Sequence, residues 1–167
     1  MTLIKRQDIQ ILATLMGGQY AKLSFAQLAD KAKLSVSETF AAVRRLRDSS
    51  ILNDARQINK HNVREFLFHA LRYICPVHYG ACNTSGLPAA YAAPIASAEF
   101  SIVGDIPVWP YTNGGAIGRC LEPIYPTAPV AAAADRTIYD NLAIIDMLRG
   151  GRLRERSFAM KKIDEIL

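Results

Sequence analysis

What this chain lacks narrows its function before any motif is considered. Only three of its 167 residues are cysteine and only one is tryptophan. The few cysteines read as reduced thiols packed as small apolar side chains. No uninterrupted apolar stretch is long enough to span a bilayer, and the longest uncharged stretches, around 82–98 and 123–134, are broken by prolines. The N-terminus, MTLIKRQDIQ, places charges where a signal peptide needs an apolar run, so a cytoplasmic protein without membrane contact is expected. The G-x-S-x-G elbow, the phosphate loop, the dinucleotide glycine fingerprint and the H-E-x-x-H pair are all missing. No spacing brings two carboxylates together in a cleft, and the expectation is a protein that is not an enzyme.

Charge is unevenly spread. Residues 1–74 hold 12 Lys and Arg against 6 Asp and Glu, a net +6. Residues 75–134 hold one against three, net −2, and residues 135–167 hold seven against six, net +1, which together give the chain's +5. A basic excess confined to one end is what phosphate neutralisation requires. With 50% apolar residues and 21% charged, the chain can bury a core and is not globally disordered.

Within the basic part, SFAQLADKAKLSVSETFAAVRRLRDSSIL (24–52) reads as two short helices joined by a tight turn. Ser24 with Gln27, and Ser35 with Glu38, are capping boxes that fix where each helix begins. The first, about Phe25 to Ala32, would bury Phe25, Leu28, Ala29 and Ala32. The second, about Val36 to Asp48, would bury Val36, Thr39 or Phe40, Val43 and Leu46. Its outer faces would then carry Ser37, Glu38, Ala41, Ala42, Arg44 and Arg45. Ile51 and Leu52 return to the core.

At these residues the chain resembles the helix-turn-helix of MarR-type and Lrp-type bacterial transcription regulators. The shared pattern is Leu28-Ala29 in the first helix, Leu34-Ser35 entering the second, Arg45-Leu46 near its end, and Ile51-Leu52 after it. The resemblance covers roughly the first 74 residues. It implies that the second helix enters the major groove of double-stranded DNA, with Ser35, Ser37, Glu38, Ala41, Arg44, Arg45 and Arg47 as the DNA face. It implies a β-wing after Leu52, while the modest size of the basic excess points to a dimer binding two weak half-sites together. Two positions depart from the family. Lys33 stands where the turn favours glycine, at a cost of roughly 1 kcal/mol if it adopts the left-handed conformation. Only NDARQI separates Leu52 from the next helical pattern, so any wing is rudimentary and no wing residues are assigned. Helix-turn-helix folds also dock proteins, and that reading stays open beside DNA binding.

The remainder divides by pattern. Ile9, Leu12, Ala13 and Met16 stripe a helix that Gly17 and Gly18 terminate. Asn59 caps a long helix to about Ile74 whose stripe, Val63, Phe66, Leu67, Ala70, Leu71 and Ile74, exceeds what a small three-helix core needs; part of it would join a dimer interface. Residues 75–134, rich in Pro, Ala, Gly and aromatics, read as short irregular strands. In them IPVWPYTNGGAIGRCLEPI looks like a hairpin turning at Asn113-Gly114. Trp109, Tyr111 and Tyr125 would cover the apolar face of that small sheet, or form a surface that senses a ligand or grips a partner. From Asp135 a helical hairpin follows, its first helix striped by Ile138, Leu142, Ile145 and Leu148 and its turn at Gly150-Gly151. Arg149, Arg152, Arg154 and Arg156 surround that turn as a solvated cluster partly paired with Asp146 and Glu155.

Metal chemistry has one candidate. Cys75, His78, Cys82 and the distant Cys120 could hold a tetrahedral Zn²⁺, although their spacing follows no established zinc pattern; otherwise no cofactor is expected. His61 and His69 lie eight residues apart, too far to chelate one ion together.

The sequence therefore predicts a mainly α protein with a small β element. A helix-turn-helix domain with a long fourth helix (1–74) precedes a Pro/Ala/Gly-rich short-strand module (75–134) and a helical hairpin (135–167), the last two forming an α+β module. The expected activity is that of a dimeric DNA-binding transcription regulator. The alternative is an antitoxin-like adaptor that binds a partner protein through its carboxy-terminal part.

Overall fold

The computed structural model describes residues 3–167. It is mixed α and β, largely helical, with one small three-stranded sheet. Two helices form its centre. Helix α1 (Arg6–Leu15) is buried from Asp8 onward, and α7 (Arg136–Gly150) is buried almost throughout from Ile138 to Arg149. A helix apolar around most of its circumference must be wrapped on several sides, so the single stripe read for α7 understates it. The Asn141 amide of α7 donates to the carbonyls of Ala13 (2.8 Å) and Met16 (3.2 Å), which α1 leaves unpaired as it ends. Gly17 and Gly18 then take positive φ angles of 90° and 77° and end the helix as expected.

Helices α2 (Phe25–Ala32) and α3 (Val36–Asp48) begin at the two capping boxes: Ser24 Oγ accepts from the Gln27 N–H, and Ser35 Oγ from the Glu38 N–H, both at 3.2 Å. Lys33 does adopt the left-handed conformation, φ 54° and ψ 43°, and its N–H closes α2. After α3 a single bridge between Leu52 and Ile58 makes a minimal hairpin, tied at its tip by the Asn53 N–H to the Gln57 carbonyl (2.9 Å). The long fourth helix starts at the Asn59 cap as α4 (Lys60–Glu65), widens into a π turn over Phe66–Ala70, and ends as α5 (Leu71–Ile74). The π turn shifts the apolar face, so Phe68 is buried with Val63, Leu67 and Leu71, while Ile74 is left half exposed. The π turn and α5 pack on α7, so much of the apolar surplus read for this helix is consumed within the chain.

The strands correct the hairpin expectation. β1 (Thr84–Pro88) runs antiparallel to both β2 (Pro107–Pro110) and β3 (Ala116–Cys120), while β2 and β3 are parallel to each other, so the three strands close on themselves. β2 pairs with one half of β1 and β3 with the other. Asn113-Gly114 makes no positive-φ turn. A closure this tight needs glycine where backbones meet: a Cβ on Gly86 would lie 1.9 Å from the Trp109 carbonyl oxygen, and one on Gly118 2.1 Å from that of Ile106. The short-strand reading also fails at α6 (Ala128–Ala134). Pro129 sits in its first turn, where an N–H is not needed, and the alanines after it have the highest helix propensity.

The gly-gly hairpin of α7 and α8 (Leu153–Ile166) is present. Its arginines are not one solvated cluster, because Arg149 is buried: its side chain bonds Asp146 (2.7 Å) and the Glu122 carbonyl (2.6 Å). One continuous apolar core runs through residues of all three sequence segments.

Asp135 joins α7 to α2. Its carboxylate caps α7 through the Thr137 and Ile138 N–H groups and accepts from Tyr20 (2.5 Å) and Lys31 (3.0 Å). Burial pushes this carboxyl up, but the hydrogen bonds from Tyr20, Lys31 and the Ile138 N–H together hold it below its ordinary value. A lowered carboxylate stabilises the fold above the unfolded value near 3.9 and loses that contribution as pH falls through the folded value. Asp135→Ala should therefore cost about 1–2 kcal/mol at neutral pH, and urea titrations should show the difference shrinking towards pH 3.

Candidate nucleic-acid interface

The capping residues of α3 are bound into one another. Ser35 Oγ donates to Glu38 Oε2 (2.6 Å), the Ser35 N–H reaches the same oxygen (3.1 Å), and Ser37 Oγ lies 3.2 Å from Ser35 Oγ. The other carboxylate oxygen, Glu38 Oε1, accepts from the Tyr125 hydroxyl (3.0 Å). The Ser35 hydroxyl and N–H, then Tyr125, hold the Glu38 carboxyl below its usual range. Both oxygens of Glu38 are thus engaged inside the protein. Its geometry is that of a cap and a tether to the 123–127 segment, which differs from a group presented to a base edge.

The buried stripe of α3 is Thr39, Ala42, Val43 and Leu46. Val36, read as inward, is 51% exposed; of the alternatives Thr39 and Phe40, Thr39 is the buried one and Phe40 is 55% exposed; Ala42, read as outward, is fully buried. The reason is space: small Thr39 and Ala42 let α3 lie close on α1, which two large side chains at the same place would prevent. Phe40 instead packs edge-on against Phe25 at the surface, ring centroids 5.2 Å apart.

The arginines separate into three situations. Arg44 is the open one, its side chain 75% exposed and 4.0 Å from Asp48. Arg47 is half exposed and paired with Asp54 of the minimal hairpin. Arg45 faces inward, its guanidinium forked onto Asp8 of α1 at 2.7 and 2.6 Å, with Asp8 completely buried. The hydrogen bonds from Arg45 to Asp8 hold that guanidinium's pKa above its ordinary value. Arg45, expected on the DNA face, is corrected to a structural residue, since a buried carboxylate without it would be an unpaired charge.

The resulting outer face of α3 presents Val36, Ser37, Phe40, Arg44 and Arg47, with Ser35 at its head and half-buried Ala41 between. A shallow groove of about 460 Å³ runs beside it, with Leu3 and Lys5 facing Phe40, Ala41 and Arg44. Lys5, Lys22 and Lys60 have no carboxylate within ion-pair distance among the described residues. Exposed pairs such as Arg44–Asp48 contribute about 0–1 kcal/mol, so an anionic ligand could displace them at little cost.

The zinc candidates do not converge. Cys75 is buried and its thiol pushed up by that burial, Cys82 and His78 are exposed, and Cys120 lies half buried against Gly80. Among the described residues no three His, Cys, Asp or Glu side chains could hold one ion. Trp109 does more than cover a sheet. It is buried, stacks near Tyr139 (5.5 Å), and donates its indole N–H to Asp146 at 2.6 Å. No helix among the described residues is long and apolar enough to cross a membrane. No family model, curated protein or solved structure matches the chain.

Proposed function

We propose that α2 and α3 form a helix-turn-helix that binds double-stranded DNA with α3 in the major groove, in a dimeric, non-enzymatic transcription regulator. The observation that supports this most is the outer face of α3, where Val36, Ser37, Phe40, Arg44 and Arg47 are exposed among the described residues and the charge is cationic towards the helix end. In this reading Ser37 binds phosphate near the helix start while Ser35, its hydroxyl and N–H both given to Glu38, caps the helix; Arg44 and Arg47 contact phosphate or guanine, and Val36 and Phe40 meet thymine methyls. Glu38 and Arg45 set the position of the helix and read nothing. The minimal hairpin is too short to enter a groove. Lys5 adds charge alongside Arg44.

A second reading rests on a different observation. Ile102, Val103 and Ile117, all at least half exposed, put apolar surface on the carboxy-terminal segment, as an adaptor for a partner protein would.

Salt separates the two. DNA affinity should fall steeply as salt rises, and Arg44→Ala with Arg47→Ala should reduce the slope of log K against log salt by about 2 while leaving the fold intact. Fluorescence anisotropy on genomic DNA fragments measures this. Retention of a partner protein at high salt, with the double variant unaffected and no DNA bound, would favour the adaptor.

A further inference from the structure

A second cleft, of about 490 Å³, lies away from α3 between the strand segment and the turn joining α7 to α8. That volume lies within the usual range of small-molecule sites. Its lining joins aromatic rings to guanidinium and carboxylate groups. One wall is aromatic: Tyr91 and Phe100 meet edge-to-face with centroids 6.3 Å apart, and Phe100 is backed in turn by Phe158 at 5.5 Å. The lining also carries Arg119, whose guanidinium lies 5.1 Å from the centre of the Tyr79 ring, and Arg152 at the turn. Among the described residues neither guanidinium has a carboxylate within ion-pair distance. Neither the Tyr79 nor the Tyr91 hydroxyl has a hydrogen-bond partner there, unlike those of Tyr20, Tyr125 and Tyr139.

Burial, and after it the charge of Glu155, pushes both phenols up, so at neutral pH they remain O–H donors. Two cations and two phenol donors therefore converge on a space bounded by aromatic rings. Carboxylates are also present: Asp105, without an ion-pair partner among the described residues, and Glu155, which accepts from the Arg152 N–H at 3.2 Å. A simple anion would use the guanidiniums and leave the rings and Asp105 idle. A purely aromatic ligand would leave the guanidiniums idle.

We propose that this cleft binds a nucleoside monophosphate. The base lies against Tyr91 and Phe100, where every base offers a π face. The phosphate takes Arg119 and Arg152, whose planar forks suit its oxygens. Asp105 accepts from the ribose hydroxyls, the pairing by which carboxylates hold a ribose in dinucleotide sites. The site shares no residue with the outer face of α3 and does not depend on how that face is used.

The test is calorimetric titration of the full chain, free of DNA, with AMP, GMP, CMP and UMP, and with the four matching nucleosides and inorganic phosphate as partial ligands. At least one nucleotide should bind, and its nucleoside and phosphate alone should each bind at least tenfold more weakly. Arg119→Gln with Arg152→Gln should abolish the phosphate-dependent part of the affinity. Tyr79→Phe with Tyr91→Phe, which removes two oxygens and no packing, should weaken the nucleotide several-fold and leave the melting temperature unchanged. Absence of binding by all four nucleotides, or affinity that survives both double variants, overturns the assignment.

Discussion

Truncating Arg149 to alanine is expected to destabilise the protein by about 3–5 kcal/mol, a large share of the whole stability of a domain this size. The side chain is 0% exposed and its partner Asp146 is 1% exposed. Removing it strands a carboxylate that then has only the Trp109 N–H, and also unpairs the Glu122 carbonyl. Burial already pushes the Asp146 carboxyl up, while the Arg149 charge and the two hydrogen bonds pull it back. Without Arg149 burial acts almost unopposed, so in the variant the folded protein holds a proton that the unfolded chain releases near pH 3.9. A carboxyl raised in the folded state favours folding below its unfolded value, and that advantage disappears as pH rises through the folded value. Arg149→Ala should thus lie closest to the parent near pH 4 and furthest from it above neutrality. Replacing both partners, Asp146→Leu with Arg149→Met, should recover most of the loss. Trp109 is the only tryptophan and touches Asp146, so its fluorescence during urea unfolding reports directly. A cost below about 1 kcal/mol for Arg149→Ala would show that the pair is not buried as described.

The same pair shows where sequence reading stops. Asp146 and Arg149 are three residues apart on a helix, and at that spacing most such pairs are solvated. What buries them is the arrival of the strand segment from nearly forty residues earlier, and no local pattern in α7 announces it. By contrast, the starts of α2, α3 and α4 were legible because a cap is a local event: Ser24, Ser35 and Asn59 each bond an N–H three residues on. Gly17-Gly18 and Gly150-Gly151 ended helices for the same reason. The left-handed Lys33 could be anticipated from the fixed length of the turn, although nothing in lysine favours it.

The faces of α3 were only half legible. Apolar periodicity gives weight to bulky side chains, so it places Val36 inward and leaves Thr39 and Phe40 as alternatives; the deciding fact is how closely α1 approaches, which the small Thr39 and Ala42 permit. The strand order was not legible at all. Asn-Gly between two apolar runs suggests a hairpin, but β1 pairs antiparallel with both runs, which then pair with each other in parallel, a long-range choice that overrides the turn signal. The cleft beside α8 draws Tyr79, Tyr91, Arg119 and Arg152 from four separate stretches and leaves no motif.

Arg45 is where sequence and structure diverge with the largest functional consequence, and two adjacent arginines allow a sharp test. Arg45→Ala should destabilise the protein by about 3–5 kcal/mol, because Asp8 is left buried and unpaired. Asp8→Ala should cost at least as much, since Asp8 also accepts the Lys5 N–H (2.8 Å) at the start of α1. The double variant should cost clearly less than the sum of the two single costs, giving a coupling energy of about 2–3 kcal/mol in the cycle. Arg44→Ala, one residue away but 75% exposed, should leave the unfolding free energy within about 0.5 kcal/mol of the parent. DNA binding should show the opposite order. Measured at a temperature where every variant is folded, Arg45→Ala should keep the parent's salt slope, and Arg44→Ala should lower it by about 1. A salt slope that falls with Arg45→Ala and not with Arg44→Ala would mean that Arg45 leaves Asp8 to meet the duplex. In that case the Asp8 pair is a latch that binding opens, and α3 would have to move relative to α1 whenever DNA is engaged.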